Sequence, residues 1–311
     1  MKQQQQPKAV FAPEQEFYQS YSTGEDKERT NVHYEQPVEF FYAVTGGRWN
    51  VYSCNVWEEG DDRADDAGQT ASQEVKLDLT AALLGLKPGM RVLDVGCGWG
   101  GPLSYLCKTY GVEGVGLTLS PAQKKAAEER AEREGVADRI RIVESHWAEY
   151  DDPRPFDAVC TDEVIVHFHD LGGFFAKAYA LLGDGGRMVN KELHFTHRRY
   201  SAMTRGLSLI NEIYGSTGNY RTLGEELTLA NGAGFEVEAI RQLPLSHYRR
   251  TMGCWTANMH ARKAELEAMV GADYYRRFRG YLKMCQRIFT DTTMTLDYVV
   301  CRKAPAREVG G

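Results

Sequence analysis

The chain has 311 residues, 42% of them hydrophobic and 26% charged, with 37 basic against 43 acidic side chains and a formal net charge of −6. That length and balance belong to a soluble globular protein with one sizeable core, and the acidic excess excludes nucleic acid as the main partner, because phosphate binding needs a basic face. The sequence has no run of eighteen apolar residues, and its start, Met1-Lys-Gln-Gln-Gln-Gln6, is polar; neither a stable membrane insertion nor a signal peptide is expected, and the expected location is cytoplasmic.

Residues 1–30 are rich in Gln, Glu and Lys and read as a flexible lead-in. Aromatics then crowd the stretch from His33 to Trp57 (Tyr34, Phe40, Phe41, Tyr42, Trp49, Tyr52), as a cover over something apolar would require. The acidic run Glu58–Asp66 reads as a solvated loop before it reads as a metal site. After a helix over 70–86, strands are predicted at 91–95, 113–118, 139–143, 156–160 and 186–193, with helices at 101–110, 121–135, 170–182 and 222–233. Such alternation predicts an α/β fold with a doubly wound, mostly parallel sheet. Gly185-Gly186 and Gly232-Ala-Gly234 read as helix-to-strand turns. Residues 196–220 break the alternation and read as a helical lid; 250–292 reads as two long helices and 297–301 as a last strand. The seven cysteines, at 54, 97, 107, 160, 254, 285 and 301, form no Cys-x-x-Cys pair, so free thiols are expected.

The first strand runs straight into a glycine-rich turn, Arg91-Val-Leu-Asp-Val-Gly-Cys-Gly-Trp-Gly100. Gly96, Gly98 and Gly100 permit a tight turn and a close approach to a ligand. The spacing differs from the dinucleotide pattern Gly-x-Gly-x-x-Gly. A carboxylate, Asp94, stands beside the glycines and suits a cationic ligand without a pyrophosphate, which favours S-adenosylmethionine over NAD.

Ligands of such sheets lie at the carboxyl ends of the strands. After the second strand come Thr118, Leu119, Ser120 and Gln123; after the third, Trp147, placed to stack on an adenine ring or to fill the core. After the fourth come Asp162 and Glu163. A carboxylate there could take a proton from a substrate that has just been methylated, or Glu163 could serve only as a helix cap. His167 and His169 lack a third ligand at a recognisable spacing, so satisfied histidines are expected over a metal site. His197-Arg198-Arg199 and His247-Tyr248-Arg249-Arg250 concentrate positive charge that could grip an anionic substrate head.

These motifs, in the order His33-Tyr34, Tyr52-Ser53-Cys54, Asp94–Gly100, Gly116-Leu-Thr-Leu-Ser120 with Gln123, Trp147 and His247-Tyr248, resemble the cyclopropane fatty acid synthase and mycolic acid methyltransferase family over residues 30–303. The resemblance implies a Rossmann-like class I methyltransferase domain over 31–311, with a helical lid around 196–220 and 250–292 and an N-terminal helical cover. It implies methyl transfer from S-adenosylmethionine to an alkene carbon through a carbocation, which aromatic faces can stabilise. Tyr52, Ser53, Gly96, Gly98, Thr118, Leu119, Gln123 and Trp147 would contact the cofactor.

In cyclopropane-forming members a bicarbonate ion held by a Cys, a Glu, a His and a Tyr removes the proton. Cys54 and Tyr248 match that set. Val166 stands where the second Glu of Glu-x-x-Glu-His belongs, before His167, and Lys191 stands at the position of the family's other His. Glu163, or else Glu192, then becomes the candidate base, and a methyl-branched alkene the expected product. The acidic surface and the Arg clusters favour a small, soluble prenyl diphosphate as substrate, with Mg²⁺ as a possible companion. The alternatives are methylation or cyclopropanation of an unsaturated fatty acyl chain, O- or N-methylation of a small metabolite, and a non-catalytic cofactor-binding protein; a homo-oligomer is a possible assembly.

Overall fold

The computed structural model describes residues 22–34, 36–200, 213, 218–288 and 292–304. Seven strands form one sheet in the order β3-β2-β1-β4-β5-β7-β6: β1 (Arg91–Val95), β2 (Glu113–Thr118), β3 (Ile140–Glu144), β4 (Phe156–Asp162), β5 (Leu182–Phe195), β6 (Phe235–Leu243) and β7 (Met294–Lys303). Strands β3 to β5 pair in parallel, and β7 lies antiparallel between β5 and β6. The parallel, doubly wound expectation therefore holds. The predicted last strand, 297–301, is β7 and runs antiparallel, and an edge strand, β6, is added that had been signalled only by the turn before it.

The period-two alternation of the strands splits the core. Val92, Ala158 and Val189 face one apolar layer, whereas Leu93, Val159 and Met188 face the other. The first layer is covered by α3 (Asp66–Leu84), α4 (Gly101–Tyr110) and α5 (Pro121–Glu134), and the second by α6 (Leu171–Leu181) and α7 (Leu223–Gly232). The predicted pair of long helices is α8 (Ser246–Ala261) and α9 (Lys263–Ile288). Phe40 and Phe41 of α2 (Val38–Thr45) join them, with the Phe40 and Phe278 rings 5.2 Å apart and the Phe41 and Trp99 rings 5.0 Å apart. The aromatic stretch thus covers the glycine loop, as its composition required.

Three boundaries differ from expectation for physical reasons. Helix α3 begins four residues early because Asp65 caps it, accepting from the Gly68 amide at 2.9 Å. Strand β6 is exposed along most of both faces, so it carries little apolar periodicity. A helix, α1 (Thr23–Tyr34), occupies the end of the stretch read as a lead-in; Lys27 bonds Glu149 at 2.9 Å and Asp26 lies 3.5 Å from His146. Residues 1–21, and residues 201–212 and 214–217 of the predicted lid, lie outside the described residues. Among the described residues no helix is long and apolar enough to cross a membrane, and all seven cysteines are free and buried.

The site is placed by topology. β1 pairs with β2 on one side and β4 on the other, so the winding reverses between β1 and β4 and opens a crevice at their carboxyl ends. Asp94 is in register with Cys160 there, which brings the glycine loop beside Asp162 and Glu163. The start of α4 must also come close to the 47–50 turn: a Cβ on Gly101 would meet the Trp49 carbonyl oxygen at 1.8 Å. Gly101→Ala is therefore expected to cost about 1–3 kcal/mol as overpacking, read as a lower urea midpoint with an unchanged slope.

Candidate active site

The three loop glycines all have left-handed φ, but for different reasons. A Cβ on Gly96 (φ 85°) would strike Val164 at 2.6 Å, and one on Gly100 (φ 72°) would strike Ala127 at 2.8 Å, whereas one on Gly98 (φ 53°) would meet nothing within 4 Å. Gly98 alone presents open backbone to a cavity of about 210 Å³. Nine of the ten predicted cofactor residues line that cavity: Tyr52, Ser53, Asp94, Gly96, Gly98, Thr118, Leu119, Gln123 and Trp147. Gly100 is not among the lining residues; it caps α4 and packs on α5. The Thr118 hydroxyl donates to Gln123 Oε1 at 2.6 Å, and Ser120 caps α5, which fixes the far wall.

Two observations fit S-adenosylmethionine to this cavity. The buried Trp147 Nε1–H has no hydrogen-bond partner among the described residues, an unusual state for a buried donor. The Asp94 carboxyl is pushed up to about 7 by burial and by the nearby Asp162 charge, so it is poised to gain from a cation. Asp26, Arg29 and Asn50 line the same cavity and went unpredicted, and Tyr34 of the aromatic stretch lines it with them; the first two sit on α1, in the stretch read as a lead-in.

A cluster of four charges forms the floor between β4 and β5. Lys76 Nζ donates to Asp162 Oδ2 at 2.7 Å and to Ser53 Oγ at 2.6 Å, and Ser53 Oγ donates in turn to Asp162 Oδ2 at 2.6 Å. Lys191 Nζ donates to Asp162 Oδ1 at 2.9 Å, to Glu163 Oε1 at 2.5 Å and to the Cys54 carbonyl at 3.0 Å. Burial alone would raise Asp162, but the ammonium groups of Lys191 and Lys76 outweigh it and hold the carboxyl well below the usual range. Burial alone would lower Lys191, but the two carboxylates outweigh it and the amine stays charged.

Glu163 has a left-handed backbone, φ 56°, rare for a residue with a side chain. That turn aims its carboxylate at three donors: the Cys54 amide at 2.8 Å, Lys191 Nζ at 2.5 Å and the Tyr248 hydroxyl at 3.2 Å. The Cys54 thiol makes no hydrogen bond to Glu163 among the described residues. It donates to the Asn55 carbonyl and is pushed up to about 12 by burial, so the residue serves through its backbone. Burial, with the Glu163 charge behind it, keeps the Tyr248 phenol protonated. Glu192 is pushed up to about 8 by burial and the Glu163 charge, and its oxygens accept from the Val166 and Leu193 amides.

Other predicted residues stand apart from Glu163. His167 lines the cavity, but its charged neighbours are Arg29 and Asp26 of α1. Arg250 stacks on Trp57 with 3.9 Å to the ring centroid and donates to the Arg63 carbonyl, while Arg249 lies beside it on α8. Arg198 lies 3.1 Å from Glu225 and Arg199 bonds Tyr200, with His197 accepting from the Arg199 amide. These contacts tie the two basic clusters to different elements. Among the described residues no group of three or more His, Cys, Asp or Glu side chains could hold a metal.

The sequence matches the family described as "Mycolic acid cyclopropane synthetase" over residues 21–299. The chain belongs to this family. It is 31% identical over 302 residues to the methoxy mycolic acid synthase MmaA3 of Mycobacterium tuberculosis, covering 91% of this chain and 97% of that protein. The mycolic acid cyclopropane synthase CmaA1 complexed with SAH and CTAB superposes with a TM-score of 0.81 at 27% identity, over 89% of this chain and 98% of the other. Coclaurine N-methyltransferase, at 17% identity and a TM-score of 0.78 over 93% and 86% of the two chains, shares the fold. The protein is thus an S-adenosylmethionine-dependent methyltransferase with the class I fold.

Lys76 is a further site residue that sequence reading missed. It sits on the inward face of α3 with Gln69, Ser72 and Gln73, so the face turned to the core looks polar in the sequence. Removing one member of a buried ion pair leaves the other unpaired. Lys76→Met in the methyltransferase is expected to cost about 3–5 kcal/mol, measured by urea denaturation at pH 7; a loss under 1 kcal/mol would show that Lys191 alone satisfies Asp162.

Proposed function

We propose that this methyltransferase methylates a carbon–carbon double bond of a long unsaturated acyl chain, with Glu163 taking the proton that ends the reaction. The observation that carries the reading is the Glu163 carboxylate locked by three donors. The three contacts fix where the carboxylate sits and leave it beside the cavity that Asp162 and Glu163 line. A fixed carboxylate at that place can take a proton from a carbocation, whose neighbouring C–H bonds are extremely acidic. The relatives named for mycolic acids favour the acyl chain over the prenyl diphosphate expected from composition, and the partners found for Arg198 and Arg250 weaken the case for an anion grip and its Mg²⁺.

When bound, S-adenosylmethionine would supply an electrophilic methyl group, the methyl–sulfur bond breaking with its electron pair left on the sulfur and the demethylated cofactor as the leaving group. Gly98, Trp147, Thr118–Gln123 and Asp94 would hold it, with Tyr52 and Ser53 closing the side toward the charged cluster. The alkene π pair forms the new C–C bond and leaves a cation on the adjoining carbon. A neighbouring C–H bond then breaks, its electrons form the new double bond, and its proton passes to Glu163. The expected product is a methyl-branched alkene, with Val166 and Lys191 standing where ring-forming members carry Glu and His.

Incubation with methyl-labelled cofactor and either oleoyl lipid or geranyl and farnesyl diphosphates tests the substrate class. Label is expected in the lipid, with new olefinic methyl signals by NMR; label only in the diphosphates would reverse the assignment. Glu163→Gln is expected to leave cofactor affinity within about threefold and to cut turnover at least about 100-fold, measured by calorimetry and by single-turnover assay.

Cofactor binding should also depend on pH. Asp94 titrates near 7 in the free protein. A bound cation favours its charged form and releases a proton, so affinity falls as pH drops below 7, by up to about tenfold per unit. Calorimetry between pH 6 and 8 in buffers of different ionisation enthalpy reads that proton, and Asp94→Asn should flatten the profile.

A further inference from the structure

The edge of the sheet farthest from β3 leaves apolar side chains in solvent. Strand β6 pairs with β7 on one side and, among the described residues, with no strand on the other. Every residue on it from Glu236 to Gln242 is exposed. The large hydrophobic side chains exposed among the described residues are Val237, at 38%, and Ile240, at 45%, both on this strand. An unpaired strand edge that carries apolar side chains is a template for further pairing.

A bulge sets the faces of that strand. The β6–β7 register slips between Val237 and Ala239, which puts Val237 opposite Cys301, Ile240 opposite Val299 and Arg241 opposite Tyr298. Cys301 and Val299 face the layer covered by α6 and α7, and Tyr298 faces the other. Directly opposed residues share a face, so Val237 and Ile240 stand together on the α6–α7 side. Glu236, opposite Arg302, stands with Arg241 on the other side. On a regular strand residues three or five apart point to opposite faces; the bulge is what brings each pair onto one face.

The resulting order is complementary to itself. When a second β6 runs antiparallel about a twofold axis between Glu238 and Ala239, Val237 meets the partner's Ile240 and Glu236 meets the partner's Arg241. The apolar pair is covered on one face. On the other, Arg241, which has no ion pair among the described residues, reaches the acids Glu236 and Glu238, which Arg302 and Arg187 already hold in place. A bulged edge accepts a strand with the same bulge opposite it and is blunted against others. We propose that the chain is a homodimer joined edge to edge through β6, its two seven-stranded sheets continuous across the axis. None of the cavity-lining residues lies on β6, so the assembly is independent of the substrate and mechanism proposed above.

Sedimentation of the full chain over about a hundredfold range of micromolar concentration is expected to show association to twice the 35.0 kDa chain mass. Lysine is a natural block to edge pairing, and Ile240→Lys is expected to weaken the dimer at least about tenfold, with cofactor calorimetry showing that the variant is folded. If it does not fold, Arg241→Glu, which sets acid against acid across the axis, takes its place. The register is read with one added cysteine at a time, Val237→Cys or Ile240→Cys, since all seven native thiols are buried. In the proposed pairing Val237 lies opposite the partner's Ile240 and about 10 Å along the strand from the partner's Val237, too far for a disulfide. Mild oxidation is therefore expected to link an equimolar mixture of the two variants and to leave each alone unlinked. A wild-type chain that sediments at 35.0 kDa throughout would overturn the proposal. So would a dimer unchanged by the edge substitution, or a mixture that gives no more linked dimer than either variant alone.

Discussion

Two lysine ammonium groups with about 1% of their side-chain surface exposed set the terms for the rest of the site. Buried charge at that depth is tolerated only when it is paired and hydrogen-bonded. Asp162 and Glu163 supply two negative charges against those two positive ones, and Ser53 and the Cys54 backbone supply the remaining polar partners. With both lysines charged the cluster balances two against two, although burial pulls the Lys76 amine below its ordinary range, and it joins α3, the 51–55 segment, β4 and β5. A cation arriving at Asp94 therefore meets a floor whose charges are already spoken for.

That arrangement divides the labour between neighbouring carboxylates. Asp94 is short of partners and responds to a ligand's charge; Asp162 has three donors and is structural; Glu163 has three donors of its own and faces the side where Tyr248 and the helices α8 and α9 close the site. Glu192, one strand over, is kept neutral by burial and by the Glu163 charge. Asp94, Asp162 and Glu192 thus take three protonation behaviours from environment alone.

Much of the fold was legible because its cause is local. The apolar run Val92–Val95 with its glycine turn, the capped helix after Ser120 and the Gly232–Gly234 turn each declare an element within a few residues. Much of the cavity wall was legible for the same reason, since Asp94, Gly96, Gly98, Thr118, Leu119, Gln123 and Trp147 lie at or just beyond the ends of strands. What escaped depends on pairing across distance. Lys76 looks like a surface lysine until Asp162, eighty-six residues later, is placed beside it. Lys191 reads as a missing histidine, whereas the structure makes it a cation clamped by two carboxylates. The sequence likewise does not show that Trp57 engages Arg250 and Glu225 engages Arg198.

All seven thiols are buried, including Cys97 and Cys160 in the cavity wall. Burial raises both well above the ordinary thiol range, and only the thiolate attacks electrophiles at an appreciable rate. The folded enzyme consequently carries its own reporter: alkylation must wait for local opening, and the order in which the cysteines react maps which parts of the molecule open first. The two in the wall, shielded further by whatever fills the cavity, make occupancy of the site readable without turnover.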